Sequence, residues 1–449
     1  MGQLFGTDGI RGVANTELTP ELVVGLGRAL VRTLREEGMD RPVVLVGRDP
    51  RASGEMLEAA LVAGVTSAGG DVIGVGVMPT PGVAYLTAGT AGTGSADAGA
   101  MISASHNPVE DNGIKFFGPD GGKLTDAEEE RIEELLQLVS DDRPVGAHIG
   151  RFRRDHELLV RYVEHLAGAA DGSLSDLHVV VDCANGAASH VAPFVLRRLG
   201  AQVDVINARP DGTNINAGCG SIRPEVVAEA VVSAGADVGL SHDGDADRLI
   251  AADHTGAIVD GDVMLAILAA DQQQRTGLDT VVTTVMTNLG FTRAMNELGI
   301  EVIQTAVGDR YVREAMLAGG HPLGGEQSGH LILTDYATTG DGVLTAVRLL
   351  TVLVRSGRSL HELATVMQRL PQVLCNVADV DRNRLADSTA VWQAVESETE
   401  SLGDGGRVLV RASGTEQLVR VMVEAETEER ASEVADRLAK VVARELSLD

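Results

Sequence analysis

Along most of this chain one pattern repeats. A short run rich in Val and Ile ends at a glycine or polar break, and a stretch with helical spacing follows. Apolar runs at 43–46, 72–77 and 100–102 read as strands buried on both faces, with a helix over 53–68 between the first two. A charged helix over 125–139 opens on a Thr-Asp capping signal, and the polar stretch 140–154 reads as a linker. The pattern restarts with strands at 178–181, 203–206 and 238–240 and a helix over 187–199. It restarts again with strands at 280–285 and 301–305 and a helix over 292–298. Such alternation folds as mostly parallel sheets covered by helices. After Pro371 it gives way to strands at 408–411 and 418–424 and a helix over 429–444, a small α+β unit. Length agrees: 449 residues at roughly 100–150 per domain imply three or four cores. The expected division is 1–150, 151–254, 255–370 and 371–449.

The cores must be aliphatic, because 44% of residues are hydrophobic but only 2% aromatic. The net charge of −28 excludes nucleic acid and anionic membranes as partners, since such a surface repels both. Only Lys115, Lys123 and Lys440 are lysines among 37 basic residues. An acidic, lysine-poor surface suits a high-salt, halophile-like cytoplasm, where screening suppresses self-repulsion; a genome favouring Arg codons would also produce it. Cys183, Cys219 and Cys375 are odd in number and widely spaced, which argues against a disulfide framework or zinc site and fits a reducing cytoplasm. With no signal-like N-terminus and no bilayer-length apolar run, a cytoplasmic location is expected.

Two loops carry the strongest chemistry. In 241–248, Asp243, Asp245 and Asp247 alternate with small residues just after a strand, and Gly244 permits a tight turn. Converging carboxylates select a hard cation, Mg2+ before Ca2+. An EF-hand would need Gly and Glu where Arg248 and His254 stand. The alternative is a solvated acidic turn. In Ser103-Ala104-Ser105-His106-Asn107-Pro108, a hydroxyl in a strand-end loop could carry a phosphoryl group; the alternative is an Asn-Pro turn.

Weaker signals follow. Gly324-Gly325-Glu326-Gln327-Ser328-Gly329-His330 sets polar groups between glycines, as a sugar site would, or is a Gly-rich turn. Arg411-Ala412-Ser413-Gly414-Thr415-Glu416, with Arg420, could cradle a phosphate, or is a hairpin loop. The N-terminal run 5–12 is glycine-rich and presents Arg11. In a chain that uses arginine almost everywhere, Lys115 suggests a task that needs an ammonium, such as proton transfer. Lys123 and Lys440 carry no such signal.

In this order the four loops resemble those of the α-D-phosphohexomutase superfamily, over essentially the whole chain. The runs 6–15, 214–221, 307–312, 325–330 and 338–342 are most similar to its glucosamine-phosphate branch. The resemblance implies an α/β fold of four domains around a central cleft, three similar α/β sheet domains and a C-terminal α+β domain. It implies Ser105 as the phosphorylated residue, with Asp243, Asp245, Asp247 and a phosphate oxygen on Ser105 as ligands of one Mg2+, and His106 and Arg248 beside that phosphate. It makes Glu326 and Ser328 readers of sugar hydroxyls. Arg411, Ser413, Gly414, Thr415 and Arg420 become a clamp for the distal phosphate, and Lys115, His330 and Arg11 serve proton transfer and charge stabilisation. The implied reaction interconverts the 6- and 1-phosphates of glucosamine through a bisphosphorylated sugar, with a sugar bisphosphate as activator. Mannose or glucose phosphate as substrate, a metal-dependent sugar phosphatase and a sugar-phosphate-binding protein remain alternatives. Three positions depart from the family pattern: Ala246 where Gly is commoner, Gln417 where Pro is, and Ile222-Arg223 where Thr-His is.

Overall fold

The computed structural model describes residues 4–6, 8–89, 96–138, 143–413 and 417–448. Its first sheet contains β1 (Ile10–Val13), β2 (Val43–Arg48), β3 (Asp71–Val77), β4 (Ala98–Ile102), β5 (Asp111–Phe117) and β6 (Phe152–Arg154), in the order β1-β5-β4-β2-β3-β6. The second contains β7 (His178–Asp182), β8 (Gln202–Ile206), β9 (Val238–His242), β10 (Leu249–Asp253) and β11 (Ile258–Val259), in the order β11-β10-β9-β7-β8. The third contains β12 (Thr280–Thr284), β13 (Glu301–Thr305), β14 (Leu323–Gly325) and β15 (Leu331–Leu333), in the order β13-β12-β14-β15.

These three sheets share one plan. In each, a central strand pairs in parallel with the next strand on one side and the third on the other, and a fourth strand runs antiparallel to the third. The expected common topology is therefore present. Its consequence for function is direct: the serine, triple-aspartate and sugar loops all join the third strand to the antiparallel fourth. Each sits at the carboxyl end of a strand, where α/β folds place their ligands.

The buried runs behave as their composition demands. Along β2, Val44 and Val46 pack into a cluster with Leu26, Leu30, Leu57, Leu61 and Ile132 from covering helices. Leu45 points the other way, to Ile73, Met101, Phe117, Val83 and Leu158. Side chains alternate across the sheet, so a continuous apolar run buries both faces.

The chain divides into two compact units, residues 1–285 with 300–365, and residues 286–299 with 366–449. The second unit holds β16 (Gln372–Ala378), β17 (Arg407–Ala412) and β18 (Leu418–Glu424), an antiparallel sheet ordered β16-β18-β17, with helices Thr389–Leu402 and Glu428–Glu445. Its apolar layer contains Val419, Val421, Val423, Val434 and Leu438. The helix Leu289–Glu297 belongs to this unit: the Leu289 amide donates to Glu424 at 3.0 Å, and the Asn288 side chain bonds both backbone groups of Leu370.

Several expectations are corrected. The stretch read as a linker contains β6, which extends the first sheet beside β3. Helix Leu289–Glu297 starts three residues early because Asn288 caps it. The helix Pro20–Glu36 and β1 were not anticipated, although Thr19 before Pro20 is a cap signal and Thr19 does cap the Leu22 amide. The expected cap at Thr125 is present, and Glu128 completes a capping box with it.

Candidate active site

Ser105 is buried, at 1% exposure, in the turn leaving β4. Its φ of +51° is a left-handed conformation that non-glycine residues rarely hold, and such strain gathers where surrounding structure enforces it. Here the enforcing group is Arg51, fully buried. Its guanidinium donates to Asp49 at 2.9 Å and to four carbonyls of the serine loop. Ser105 is at 3.0 Å, Asn107 at 2.9 Å, Asp111 at 3.1 Å, and Pro108 closer still. Asp49 in turn accepts from Ser103 Oγ at 2.6 Å, and Ser103 Oγ accepts the Ser105 amide at 2.9 Å. From the other side Asn216 donates to the carbonyls of Ser105 and Asn107. The loop is thus held by its backbone, leaving the Ser105 hydroxyl to point at Asp243, 2.6 Å away.

Asp243, Asp245 and Asp247 lie between β9 and β10, all buried, with one oxygen from each within 4.8 Å of the others. Ala246 makes the turn at φ +59°, which explains the commoner glycine there: an L-residue in this region costs roughly 1–2 kcal/mol. Asp245 Oδ1 and Asp247 Oδ1 are buried without hydrogen-bond partners, as oxygens kept for a cation would be. Burial and the charges of Asp247 and Asp245 push the Asp243 carboxyl well up. Burial would raise Asp247 too, but the neighbouring His330 and the Lys115 charge hold it well below the usual range. Three carboxylates this close cannot all ionise without positive charge, so the site fits a divalent cation. The solvated-turn alternative fails because the residues are buried.

Lys115 reaches this cluster from β5. It is 1% exposed, with Nζ 3.1 Å from Asp245, 3.2 Å from Asp8 and 3.9 Å from Asp247. Thr80 donates to Asp245 at 2.6 Å. Asp8 also accepts from Arg11 and, at 2.6 Å, from Lys123. Lys123 continues to Asp309 at 2.6 Å, and His330 lies 3.6 Å from both Asp309 and Asp247. A chain of alternating charge therefore runs from the aspartate cluster through both lysines to His330.

The His330 ring is subject to opposing forces. Burial lowers its pKa, but the nearby carboxylates of Asp247, Asp309 and Glu326 outweigh it and raise the value. The Gly340 amide donates to Nε2 at 3.1 Å, which requires a lone pair there. The neutral ring with its proton on Nδ1 can accept from Gly340 while facing Asp247, whereas the charged ring favoured by the nearby carboxylates cannot, so the two forms make different contacts here. His106 Nδ1 is 3.2 Å from Ser105 Oγ, and burial with the charges of Arg248 and Arg11 pushes the ring down to about 4, so it is neutral at pH 7. Arg248 donates its amide to Asp243 at 3.2 Å, and its Nε lies 3.9 Å from Asp247. Arg11 NH1 reaches Asn107 at 3.4 Å.

The sugar loop follows β14. Its placement needs Gly329, at φ +90°, where an added Cβ would sit 1.9 Å from the Leu249 carbonyl of β10. Glu326 accepts the Gly308 amide at 3.3 Å, and burial raises its pKa. Ser328 Oγ is buried without a hydrogen-bond partner, a hydroxyl available to a ligand. In the second unit Arg411 and Arg420 stand directly opposite on β17 and β18. Burial and the Arg420 charge lower the Arg411 pKa. Ser413 is buried next in line. Gly414 and Thr415 lie outside the described residues.

The structure thus gathers Ser105, His106, Lys115, Arg11, the three aspartates, Arg248 and His330 in the first unit. Sequence reasoning missed Asp8, Asp49, Arg51, Thr80, Asn216 and Asp309, and it misread Lys123 as a bystander. The scarcity of lysine was the signal for Lys123: near this cluster Lys115 is buried and Lys123 half-buried between carboxylates, whereas Lys440 is exposed on the helix Glu428–Glu445.

Comparisons with known proteins show the family. Models of the phosphoglucomutase/phosphomannomutase family match along the chain: alpha/beta/alpha domain I over residues 2–142, domain II over 160–256, domain III over 260–370 and the C-terminal domain over 374–441. The phosphoglucosamine mutase of Mycolicibacterium gilvum is 54% identical over 448 residues, covering 99% of this chain and 100% of that protein. That of Streptomyces coelicolor is 54% identical over 451 aligned positions, covering 98% and 99%. Among solved structures, a phosphoglucomutase/phosphomannomutase family protein from Burkholderia thailandensis superposes with a TM-score of 0.83 at 25% identity, covering 99% of this chain and 98% of that one. The N-acetylphosphoglucosamine mutase of Aspergillus fumigatus, solved with GlcNAc-6P and magnesium, shares the fold at a TM-score of 0.67 and 19% identity, covering 99% and 96%.

Proposed function

The chain belongs to the phosphoglucomutase/phosphomannomutase family, and on that premise we infer that it is a phosphoglucosamine mutase, an isomerase-class phosphotransferase. It interconverts glucosamine 6-phosphate and glucosamine 1-phosphate. The observation that carries this reading is the Ser105 hydroxyl, held by a locked backbone 2.6 Å from the buried aspartate cluster. The 54% identity to phosphoglucosamine mutases supports the choice of sugar.

Phosphoserine 105 gives its phosphoryl group to the free hydroxyl of the bound monophosphate, and the hydroxyl proton passes to a base. A bisphosphorylated sugar forms and reorients. Its other phosphoryl group then returns to Ser105 Oγ and regenerates phosphoserine. Little covalent chemistry falls to the protein, so positioning and charge stabilisation carry the rate. Mg2+ held by Asp243, Asp245, Asp247 and a phosphate oxygen on Ser105 would offset charge on the transferring group. Lys115 and His330 are the proton carriers, and Arg11 and Arg248 stabilise charge. Glu326 and Ser328 read sugar hydroxyls. Arg411, Ser413, Gly414, Thr415 and Arg420 hold the phosphate that is not transferring, and a sugar bisphosphate acts as activator. We also retain domain limits at 1–150, 151–254, 255–370 and 371–449, and a cytoplasmic location; among the described residues no helix is long and apolar enough to cross a membrane.

Substrate choice is tested by comparing glucosamine, glucose and mannose phosphates with one preparation. An ammonium at the second carbon suits an acidic site: one charged hydrogen bond is worth roughly 1.5–3 kcal/mol, so glucosamine phosphate should lead in kcat/KM by at least about tenfold. Faster turnover of glucose or mannose phosphate would overturn the sugar assignment.

A further inference from the structure

Away from this site, the covering helices of the first sheet line a half-open cavity of about 450 Å3, within the roughly 300–1,000 Å3 typical of small-molecule pockets. Its lining includes Arg28, Arg32, Arg35 and Arg143, with Glu36 and Leu136. None of the lining residues belongs to the catalytic loops described above. In a chain of net charge −28, four arginines around one cavity depart from the surrounding surface.

Local geometry explains how they meet. Helix Pro20–Glu36 carries Arg28, Arg32 and Arg35 at i, i+4 and i+7, hence on one face, opposite its buried Val23, Leu26 and Leu30. Arg143 joins from the segment before β6. Gly69, at φ +89°, brings these parts close: a Cβ there would lie 2.6 Å from the Arg35 guanidinium and 3.2 Å from Pro144.

The partners of these arginines are neutral. Arg28 donates to Ser67 Oγ at 3.0 Å, Arg32 to the Leu138 carbonyl at 3.1 Å and Arg35 to the Asp40 carbonyl at 3.3 Å. Among the described residues none of the four forms an ion pair with a carboxylate. Glu36 is already held by Arg131 through two hydrogen bonds, at 2.9 and 2.7 Å. The helix dipole accounts for Arg35, in the last turn, but not for Arg28 in the middle or Arg143 off the helix. Like charges facing one cavity repel, and a multivalent anion removes that repulsion while matching the planar forks of guanidinium. Leu135 and Leu136 give the cavity an apolar wall that a bare inorganic ion would not use.

We propose that this cavity is a second, non-catalytic binding site for a small phosphorylated anion of the nucleoside diphosphate class. The phosphates lie among the four arginines and the uncharged body lies against the leucines.

The test is titration calorimetry of ADP into the full chain, in chelator and low salt. Wild type should show saturable binding. The paired change Arg28→Ala and Arg32→Ala should weaken it at least about tenfold, and Arg143→Ala, away from the helix, should weaken it as well. Ser105→Ala should bind as wild type does, which separates this cavity from the catalytic site. Unchanged mutase activity reports that the arginine variants are folded. The proposal falls if wild type shows no saturable binding up to about 5 mM, or if the arginine variants bind equally well. It also falls if pyrophosphate binds as tightly as ADP, since the body would then contribute nothing.

Discussion

Replacing Arg51 by Met should separate what holds the nucleophile loop together from what makes it act. The guanidinium is completely buried and spans Asp49 and the carbonyls of Ser105, Asn107, Pro108 and Asp111. Removing one member of a buried ion pair costs about 3–5 kcal/mol, because the remaining charge is uncompensated. At an unfolding entropy of about 2.1 cal/mol/K per residue, a unit of roughly 350 residues loses about 1.4 °C per kcal/mol, so the melting temperature should fall by roughly 4–7 °C. The paired change Asp49→Asn with Arg51→Met removes both charges, and the side-chain amide that replaces the carboxylate can still accept from Ser103. Most of the lost stability should return. Activity should not. The Asn216 bonds to Ser105 and Asn107 survive, but Pro108 and Asp111 lose this donor, and the loop has less to hold it in a left-handed turn. A displacement near 1 Å costs about a hundredfold in rate. Calorimetry and steady-state kinetics on both variants decide the matter. A paired variant with wild-type kcat would refute the positioning role.

Other expectations concern the charges around that loop. Asp243→Asn, Asp245→Asn and Asp247→Asn should each raise the Mg2+ concentration needed for half-maximal activity by about tenfold or more, read from activity against Mg2+; unchanged curves in all three would remove the cation site. Lys115→Arg should cost about a hundredfold in kcat, because guanidinium stays protonated, and Lys123→Arg should also be damaging, because it disturbs contacts with Asp8 and Asp309. Lys440→Arg is the neutral control, and equal mild effects from all three would refute the argument. Burial raises Asp341 to about 6 while it caps the helix Gly342–Ser356 and accepts from Tyr162. A raised carboxyl binds its proton more tightly folded than unfolded, so its contribution is full below about pH 4 and falls as pH rises through 6. Asp341→Asn should cancel that fall, a relative gain on the order of 3 kcal/mol between pH 4 and 7 in denaturant titrations. Parallel stability curves for the two proteins would contradict it.

The parts of this molecule that were legible in the sequence are those that repeat or run continuously. Aliphatic strands such as Thr280–Thr284 and Leu418–Glu424 announce themselves because most of their side chains are buried. The three aspartates and Ser105 were visible because strand, break and polar loop follow one another locally. What stayed hidden depends on distance along the chain. Gly47-Arg48-Asp49-Pro50 read only as the end of a strand, because Arg51 finds its carbonyls more than fifty residues away. Lys123 meets Asp8 and Asp309, partners on either side that no periodicity connects. Phe152–Arg154 passed for linker because all three residues are exposed and two are arginines, so edge pairing alone makes it a strand.

The central claim is that Ser105 carries the phosphoryl group between enzyme and sugar. Enzyme radiolabelled on its Ser105 phosphate, freed of unbound label and mixed with glucosamine 1-phosphate for a single turnover, tests it directly. The account predicts that the label leaves the protein and appears on the sugar, first in the bisphosphate and then in glucosamine 6-phosphate, while Ser105→Ala takes up no label at all. Label that stays on the protein during turnover, or leaves it as inorganic phosphate, would contradict the claim.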